Sequence, residues 1–300
     1  MKASISIVVA LAIVLAVIGV LTGVSDAEPD EMSVGANLPG ETLLPDCQPE
    51  QPASAPTALS QSKIGWGLGS ARNQLGQPAD AEAAQKKYGP LGGQFLYGSE
   101  KQIVLTFDLG YENGYTESIL DVLKAHGVRG VFFITADYLS DAPGIVQRII
   151  DEGHVLGNHS VTHPSMPSLS AERQAAEITG LHRRVKEQFG YEMKLFRFPM
   201  GEFSEQALAA AQQLGYQSWF WSFAYRDWLT DHQPDPAAAL EKVVSAAHPG
   251  AIYLLHAVSS TNAAILGDVI TRLEAEGYTF TAPGGKAAAA AEGILPNERT

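Results

Sequence analysis

Five groups of polar residues in this sequence carry side chains suited to acid–base or metal chemistry. In chain order they are Asp108, the pair His159 and His163, Arg197, Asp227, and His256. Carboxylates and imidazoles are the side chains most used as general base and general acid, and paired histidines are frequent metal ligands. Each group lies at or just after the end of an apolar segment, so its meaning depends on how those segments are arranged.

Asp108 follows the apolar run 103–107, which has the composition of a short buried strand. Gly110 and Gly114 come next among polar residues, as in a turn. A carboxylate at the end of a buried strand is held rigidly and faces the rim of a sheet or barrel, where α/β folds place their catalytic groups. A turn-capping role is the alternative for this residue taken alone.

His159 and His163 are four residues apart. On a helical turn this spacing places both imidazoles on one face, within reach of a single metal ion. Pro164 limits how far such a turn can continue. Two histidines leave a divalent ion in need of a third protein ligand or of additional water. Surface positions for both rings are the alternative.

Arg197 lies among apolar neighbours, in the segment 196–201. A buried guanidinium needs a carboxylate, and Asp108 is the natural candidate for this pairing. An exposed arginine on a strand edge is the alternative.

Asp227 and Trp228 lie in a polar loop. An acid beside an indole is typical of a carbohydrate site, because sugar rings stack on tryptophan. Of the nearby tryptophans, Trp219 or Trp221 is expected to pack in the core. His256 follows a buried strand, and a carboxylate such as Asp227 would make it a suitable general acid.

From residue 103 onward, short apolar runs alternate with helical patterns. This alternation predicts a mostly parallel sheet covered by helices, either open or closed into a barrel. In a barrel the carboxyl ends of the strands share one mouth, so all five groups are expected to meet there. The predicted strands are 103–107, 131–134, 154–157, 194–198, 216–222, 251–255 and 278–280.

The composition is that of a folded protein, with 45% hydrophobic and 18% charged residues. The net charge of −13 argues against nucleic acid or an anionic membrane surface as a partner. The only cysteine, Cys47, excludes an internal disulfide. We expect a monomer.

The N-terminus carries an uncharged apolar run over residues 5–24. It reads as a secretory signal but is long enough to span a bilayer, so residues 1–27 are predicted to be a signal peptide or a membrane anchor. Either way, the remaining chain is expected to lie outside the cytoplasm. Further along we predict a disordered linker at 28–60, an extension around Trp66 at 61–87 that packs on the main domain, the main domain at 88–283 and a tail at 284–300.

Together, these groups resemble the motifs of the polysaccharide deacetylase family, the NodB-like domain of carbohydrate esterase family four. The matching segments stand in the family order at 106–110, 159–163, 197–201, 227–228 and 254–256. The resemblance implies a deformed (β/α)7 barrel. It also implies metal-assisted hydrolysis of an N-acetyl group on a glycan.

Carried over by position, the resemblance assigns catalytic, substrate-binding and metal-binding roles. They are Asp108 as base, Arg197 as the residue that positions it, His256 as acid, Asp227 as the carboxylate that orients it, Tyr111, Trp228 and Leu254 at the substrate, and His159 and His163 at a divalent metal such as zinc. One position departs from the family. Leu109 stands where most members have a second aspartate as third metal ligand, so the metal is expected to be held weakly.

A narrower resemblance connects the segments 107–116, 203–205 and 248–256, with Trp66, to the delta-lactam-forming muramic acid deacetylases. This subgroup implies deacetylation of N-acetylmuramic acid that lacks its stem peptide, followed by closure of the amine on the lactyl carboxyl to give muramic delta-lactam. The implied partner is peptidoglycan glycan, in the cell wall or spore cortex. The alternatives are an N-acetylglucosamine deacetylase, a glycan-binding pseudoenzyme because of Leu109, and a glycoside hydrolase that leaves the histidine pair unexplained.

Overall fold

The structure is a computed structural model, and it describes residues 58–284. The predicted signal peptide or anchor, nearly all of the predicted linker and nearly all of the tail lie outside the described residues. Between residues 58 and 284, no helix is long and apolar enough to cross a membrane.

The centre of the fold is a curled sheet of nine strands in which every pair is parallel. Its strands are β2 Gly93–Gln94, β3 Gln102–Leu109, β4 Val131–Ile134, β5 Val155–Asn158, β6 Leu195–Phe196, β8 Gln217–Trp219, β9 Phe223–Ala224, β10 Ala251–His256 and β11 Thr279–Phe280. Neighbouring strands run in the order β2, β8, β6, β5, β4, β3, β10, β9, with β11 also paired to β3. The remaining two strands, β1 Ile64–Gly65 and β7 Glu202–Phe203, form a separate antiparallel pair.

Helices connect the strands and cover the outside of the sheet, as expected for parallel strands. They are α1 Ala79–Tyr88, α2 Thr116–Ala125, α3 Ala136–Asp141, α4 Pro143–Asp151, α5 Ala171–Phe189, α6 Glu205–Gln213, α7 Pro236–Ser245 and α8 Ser260–Ala275. This architecture confirms the predicted α/β fold of the deformed (β/α)7 barrel type. The observed sheet is a curled half-barrel.

The β3 strand shows how the sequence builds both faces of the sheet, because successive side chains point to opposite sides. Its odd-numbered residues, including Leu105 and Leu109, belong to the large apolar layer shared with the helices. Val104 instead packs with Phe133, Trp219 and other residues in a smaller cluster inside the barrel. Asp108 shares the parity of Val104 and faces inward.

The predicted strand 216–222 is wrong as a single element, because the chain changes neighbours within it. β8 pairs with β2 and β6, whereas β9 pairs with β10 at the other edge. In the crossing, the Phe220 N–H donates to the Gln94 carbonyl (2.8 Å) and the Ser222 N–H donates to the Ile252 carbonyl (2.9 Å). Apolar periodicity cannot reveal such a switch, since both halves are equally buried.

Candidate active site

Asp108 and His256 are register partners on the adjacent parallel strands β3 and β10. Residues opposite one another in a sheet point to the same face, with neighbouring strands about 4.8 Å apart. Both strands end at these residues or one residue later. The sheet therefore places a carboxylate and an imidazole side by side at the barrel mouth.

Arg197 is fully buried and directs its guanidinium at Asp108. Its Nη1 donates to Asp108 Oδ1 and to Thr106 Oγ1, both at 2.8 Å. Burial alone would raise the pKa of Asp108, but the charge of Arg197 and its hydrogen bond to the carboxylate outweigh it and lower that pKa. At neutral pH Asp108 is therefore the carboxylate, the form that accepts a proton.

Asp227 is fully buried and holds His256 at two points. Its Oδ1 accepts the bond from His256 Nδ1 (2.7 Å), and its Oδ2 accepts the His256 backbone N–H (2.8 Å). Burial lowers the pKa of His256, but the hydrogen bond and charge of Asp227 raise it above the ordinary histidine value. Asp108 and His256 thus have pKa values pushed in opposite directions, which is the pattern of a base and an acid that work together.

Asn262, on α8, is a supporting residue that the sequence analysis missed. Its Nδ2 donates to Asp227 Oδ2 (2.6 Å) and to the His256 carbonyl (3.2 Å), and its Oδ1 accepts the Tyr225 hydroxyl. A buried asparagine on a helix gives no signal in a single sequence, because only the packing of α8 against the end of β10 brings it to the site.

His159 and His163 converge from a loop, which Pro164 favoured, and not from a helical turn. Residues 159–163 form a bend, and Ser160 and His163 both have left-handed backbone angles (φ 72° and 56°). Non-glycine residues adopt this conformation only where surrounding contacts impose it. The spacing of the two histidines correctly predicted that their rings lie together, but the sequence did not predict the backbone conformation that brings them there.

The contacts that impose this bend come from Asn158 and Glu177. Asn158 Oδ1 accepts the Ser160 N–H at 2.9 Å. Glu177, a buried residue of α5, accepts both the Thr162 N–H and the Thr162 hydroxyl at 2.8 Å. Neither support residue was predicted, because both act through the backbone of the histidine loop.

The chemistry of the histidine pair fits a metal ligand set. The His159 Nδ1–H donates to the Arg197 carbonyl (2.9 Å), which leaves the Nε2 lone pair free at 3.5 Å from Asp108 Oδ2. Burial lowers the pKa of His159 to about 4 and also lowers that of His163, so both rings are neutral, as metal binding requires. Their ring centroids are 4.8 Å apart.

A third protein ligand is not part of this set. Leu109 is fully buried in the apolar layer under the helices and does not line the cavity. Among residues 58–284, no group of three or more His, Cys, Asp or Glu side chains is arranged to hold a metal ion. The structure thus supplies two imidazole ligands, with the Asp108 carboxylate beside one of them.

These groups open into a cavity of about 440 Å³. Its lining comprises Asp108, His159, His163, Met200, Gly201, Trp221, Ala224, Trp228, Leu254 and His256. Trp228 and Leu254 lie here as the sequence analysis expected, and the Trp228 ring is 5.6 Å from that of His256. Of the two tryptophans considered for the core, Trp219 is buried there and Trp221 forms part of the cavity wall. Tyr111 lies half exposed on the loop after β3 without lining the cavity.

A sequence model described as "Polysaccharide deacetylase" matches residues 97–219. The chain is also 42% identical over 231 residues, covering 76% of itself and 87% of its relative, to "Peptidoglycan-N-acetylmuramic acid deacetylase PdaA" of Bacillus subtilis. The chain belongs to the polysaccharide deacetylase family. Members of this family are amide hydrolases that are generally metal-dependent, and the predicted family membership and enzyme class are confirmed.

Solved structures agree with this assignment. The structure of Bacillus subtilis PdaA, "a family 4 Carbohydrate esterase", superposes with a TM-score of 0.71 at 40% identity, covering 74% of this chain and 96% of that one. A family 4 pseudoenzyme from Bacillus anthracis superposes with a TM-score of 0.59 at 28% identity, over 63% and 66% of the two chains. A "Peptidoglycan-N-acetylglucosamine deacetylase PgdA" of Listeria monocytogenes is 34% identical over 61% of this chain and 38% of its own length.

Proposed function

We propose that this protein is a peptidoglycan deacetylase that removes the acetyl group from N-acetylmuramic acid lacking its stem peptide. The observation that carries the chemistry is the register pairing of Asp108, whose pKa is lowered, with His256, whose pKa is raised, both lining the cavity. The muramic substrate is supported by the similarity to PdaA and by the segments around residues 107–116 and 248–256.

The reaction begins with proton removal from a water molecule. Asp108 accepts this proton as the water attacks the acetamide carbonyl, and Arg197 keeps the carboxylate ionised and fixed. A divalent ion held by His159 and His163 would supply positive charge beside the acetyl oxygen. The two neutral rings are already oriented for that role by the Arg197 carbonyl and the strained loop.

The backbone near Met200 is the candidate for stabilising charge on the acetyl oxygen. The Gly201 N–H already donates to the Phe198 carbonyl (3.0 Å), so it is not available. Met200 lines the cavity and has a left-handed backbone conformation (φ 58°), the kind of strain that is common at functional sites. We propose its N–H as the oxyanion donor.

The reaction ends with proton delivery to the departing amine. His256 is the donor, because Asp227 raises its pKa and keeps its Nε2 turned to the cavity by holding Nδ1. Trp228, 47% exposed beside His256, offers an indole face on which a sugar ring can stack. The freed amine of muramic acid would then close on the lactyl carboxyl, with release of water, to give the delta-lactam of spore cortex.

The decisive experiment measures acetate release by the full chain on peptidoglycan with and without amidase pretreatment, with and without added zinc. We expect release only after the stem peptides have been removed, with muramic delta-lactam detected in the product by mass spectrometry. Equal release from untreated peptidoglycan or from chitin oligomers would instead support an N-acetylglucosamine deacetylase.

A glycan-binding pseudoenzyme is the second candidate, and Leu109 is the observation that favours it. It predicts sugar binding without acetate release under every metal condition tested. Retention of His256 and of its buried partner Asp227 with three hydrogen bonds favours the enzyme, because binding alone does not require an oriented acid.

We also propose that the protein acts outside the cytoplasm, as a secreted or membrane-anchored enzyme. The apolar run at residues 5–24 supports this proposal. Fractionation of expressing cells should place the protein in the wall or membrane fraction, and recovery in the cytoplasmic fraction alone would contradict it.

A further inference from the structure

Trp66 lies in the N-terminal extension, before residues 97–219, which the family model matches. Its indole Nε1–H donates to the Trp221 carbonyl (2.9 Å), and its backbone N–H donates to the Gly201 carbonyl (2.9 Å). Trp221 and Gly201 both line the catalytic cavity, whereas Trp66 does not. The extension therefore makes hydrogen bonds to two residues of the cavity wall without itself lining the cavity.

These bonds fall where the sheet changes neighbours, between β8 and β9. Three successive carbonyls there are held by side-chain donors. Arg197 donates through Nε to Trp219 (3.0 Å) and through Nη2 to Phe220 (3.2 Å), and Trp66 donates to Trp221. Arg197 therefore holds two of these carbonyls together with Asp108, and Trp66 separately holds the third.

Close packing makes this wall sensitive to the position of Trp66. A Cβ placed on Gly201 would lie 2.7 Å from Trp221 Cη2 and 3.3 Å from Trp66 Cβ, so the three residues are in contact. The Trp66 ring packs edge-on against Phe95, with centroids 4.6 Å apart, and this contact anchors it to the core. A well-packed group transmits a shift of one member to the others.

We propose that Trp66 is a positioning residue that fixes the Trp221 side of the cavity and so sets the affinity for the glycan. The proposal rests on the deacetylase function, because affinity is read through acetate release. It assigns a role in the active site to a residue that lies outside the span of the family model. The acid and the base are held by other residues, so binding rather than the chemical step depends on Trp66.

The test compares Trp66→Phe with Ile64→Ala in the full chain. Phenylalanine keeps an aromatic ring against Phe95 but removes the N–H that holds Trp221. Ile64 packs on the same core from the same extension and makes no bond to a cavity residue. We expect Trp66→Phe to raise KM about three- to tenfold, the effect of losing one ordering hydrogen bond, with kcat within about twofold. Ile64→Ala should leave both parameters within about twofold.

Hydrogen exchange of the peptide 219–224 provides a readout that does not require activity. Exchange of the backbone N–H groups in this peptide should be faster in Trp66→Phe and unchanged in Ile64→Ala. Only the first variant removes the donor that holds the Trp221 carbonyl, and without it the segment opens more often. Unchanged exchange, unchanged KM in an active enzyme, or an equal rise in KM for both variants would overturn the proposal. An inactive wild type would refute the deacetylase function separately, and the exchange comparison would still decide whether Trp66 holds the wall.

Discussion

Two histidines lie beside carboxylates at opposite ends of the same barrel, and their pKa values are shifted in opposite directions. At the mouth, His256 Nδ1 is 2.7 Å from Asp227 Oδ1, and the pKa of His256 is raised. At the amino ends of β4 and β5, His154 Nε2 is 3.8 Å from Glu152 Oε2, and burial lowers the pKa of His154 to about 4. Proximity to a carboxylate is therefore not what makes a catalytic histidine.

The difference lies in what else each carboxylate and each ring binds. Glu152 Oε1 accepts a hydrogen bond from Arg148 Nε (2.8 Å). The positive charge of Arg148 therefore offsets much of the attraction between Glu152 and a protonated His154. His154 Nδ1 accepts the Gly130 N–H (3.1 Å), a bond that stabilises only the neutral ring. Among residues 58–284, Asp227 has no arginine or lysine within salt-bridge distance, and it bonds His256 twice. Asp227 therefore raises the pKa of His256, whereas Glu152, which is paired with Arg148, does not raise that of His154 above its ordinary value.

The cavities at the two ends differ in the same way. The one beside His154, about 320 Å³, is lined by charges of both signs, including Lys124, Arg129 and Asp151. The one at the mouth combines a carboxyl group with a lowered pKa, an imidazole with a raised pKa and two imidazoles with lowered pKa values, between apolar walls. Only the mouth assembles groups in the different protonation states that amide hydrolysis uses.

The largest expected effect comes from Asp108→Asn. It should lower kcat/KM by about 10²- to 10⁴-fold, the usual contribution of a general base, because the amide cannot accept a proton. The amide oxygen can still accept from Arg197, so circular dichroism should show a folded protein. The matched control at the other end, His154→Gln, should retain wild-type kcat/KM. Near-wild-type turnover by Asp108→Asn would remove Asp108 from the proposed mechanism.

Metal removal is expected to have the next largest effect. Dialysis against a chelator should lower acetate release by about tenfold or more, and zinc should restore it, because positive charge at the acetyl oxygen is lost and regained. Zinc should also raise the Tm of wild type and of His154→Gln, since a ligand that binds the folded state stabilises it. His163→Ala should abolish this shift; a shift that persists would place the metal elsewhere.

Asp227→Asn should reduce kcat about ten- to hundredfold and change the pH profile. His256 must be protonated to act as the acid, and its pKa is raised by Asp227, so wild-type activity falls as the pH rises through that raised value. Without the aspartate charge the pKa of His256 falls, so the alkaline limb of the kcat profile should move to lower pH. An unmoved limb would show that another group sets it.

The smallest effect concerns the stability conferred by the His154 end. The unfolded chain binds a proton near the ordinary histidine pKa of about 6.5, whereas the folded protein resists protonation down to about 4. Above the pKa of the unfolded state, His154 therefore does not lower the free energy of unfolding. As the pH falls from there towards 4, the unfolded state binds a proton that the folded state does not, and the free energy of unfolding decreases. The decrease in Tm between pH 7 and pH 5 should be smaller in His154→Gln than in wild type. An equal decrease would contradict this account.

Much of the site was predictable from residue types at the ends of apolar runs. Asp108, Arg197, Asp227 and His256 meet at the mouth because each ends or follows a parallel strand, and parallel strands share one rim. The pairing of Arg197 with Asp108 was also predictable, since a buried guanidinium needs a counter-charge. The bend of residues 159–163 was not, because its left-handed angles are imposed by Glu177 and Asn158 from elsewhere in the chain.

The sequence by itself determined the alternation of strands and helices, the family and the identity of the reacting side chains, because these depend on local composition and order. Only the tertiary structure decided that Asp108 lies opposite His256 in register, that Asn262 supports Asp227, and that Trp221 forms part of the cavity wall. These features arise from contacts between segments far apart in the chain. No local pattern encodes them, since each is fixed by which strands and helices become neighbours.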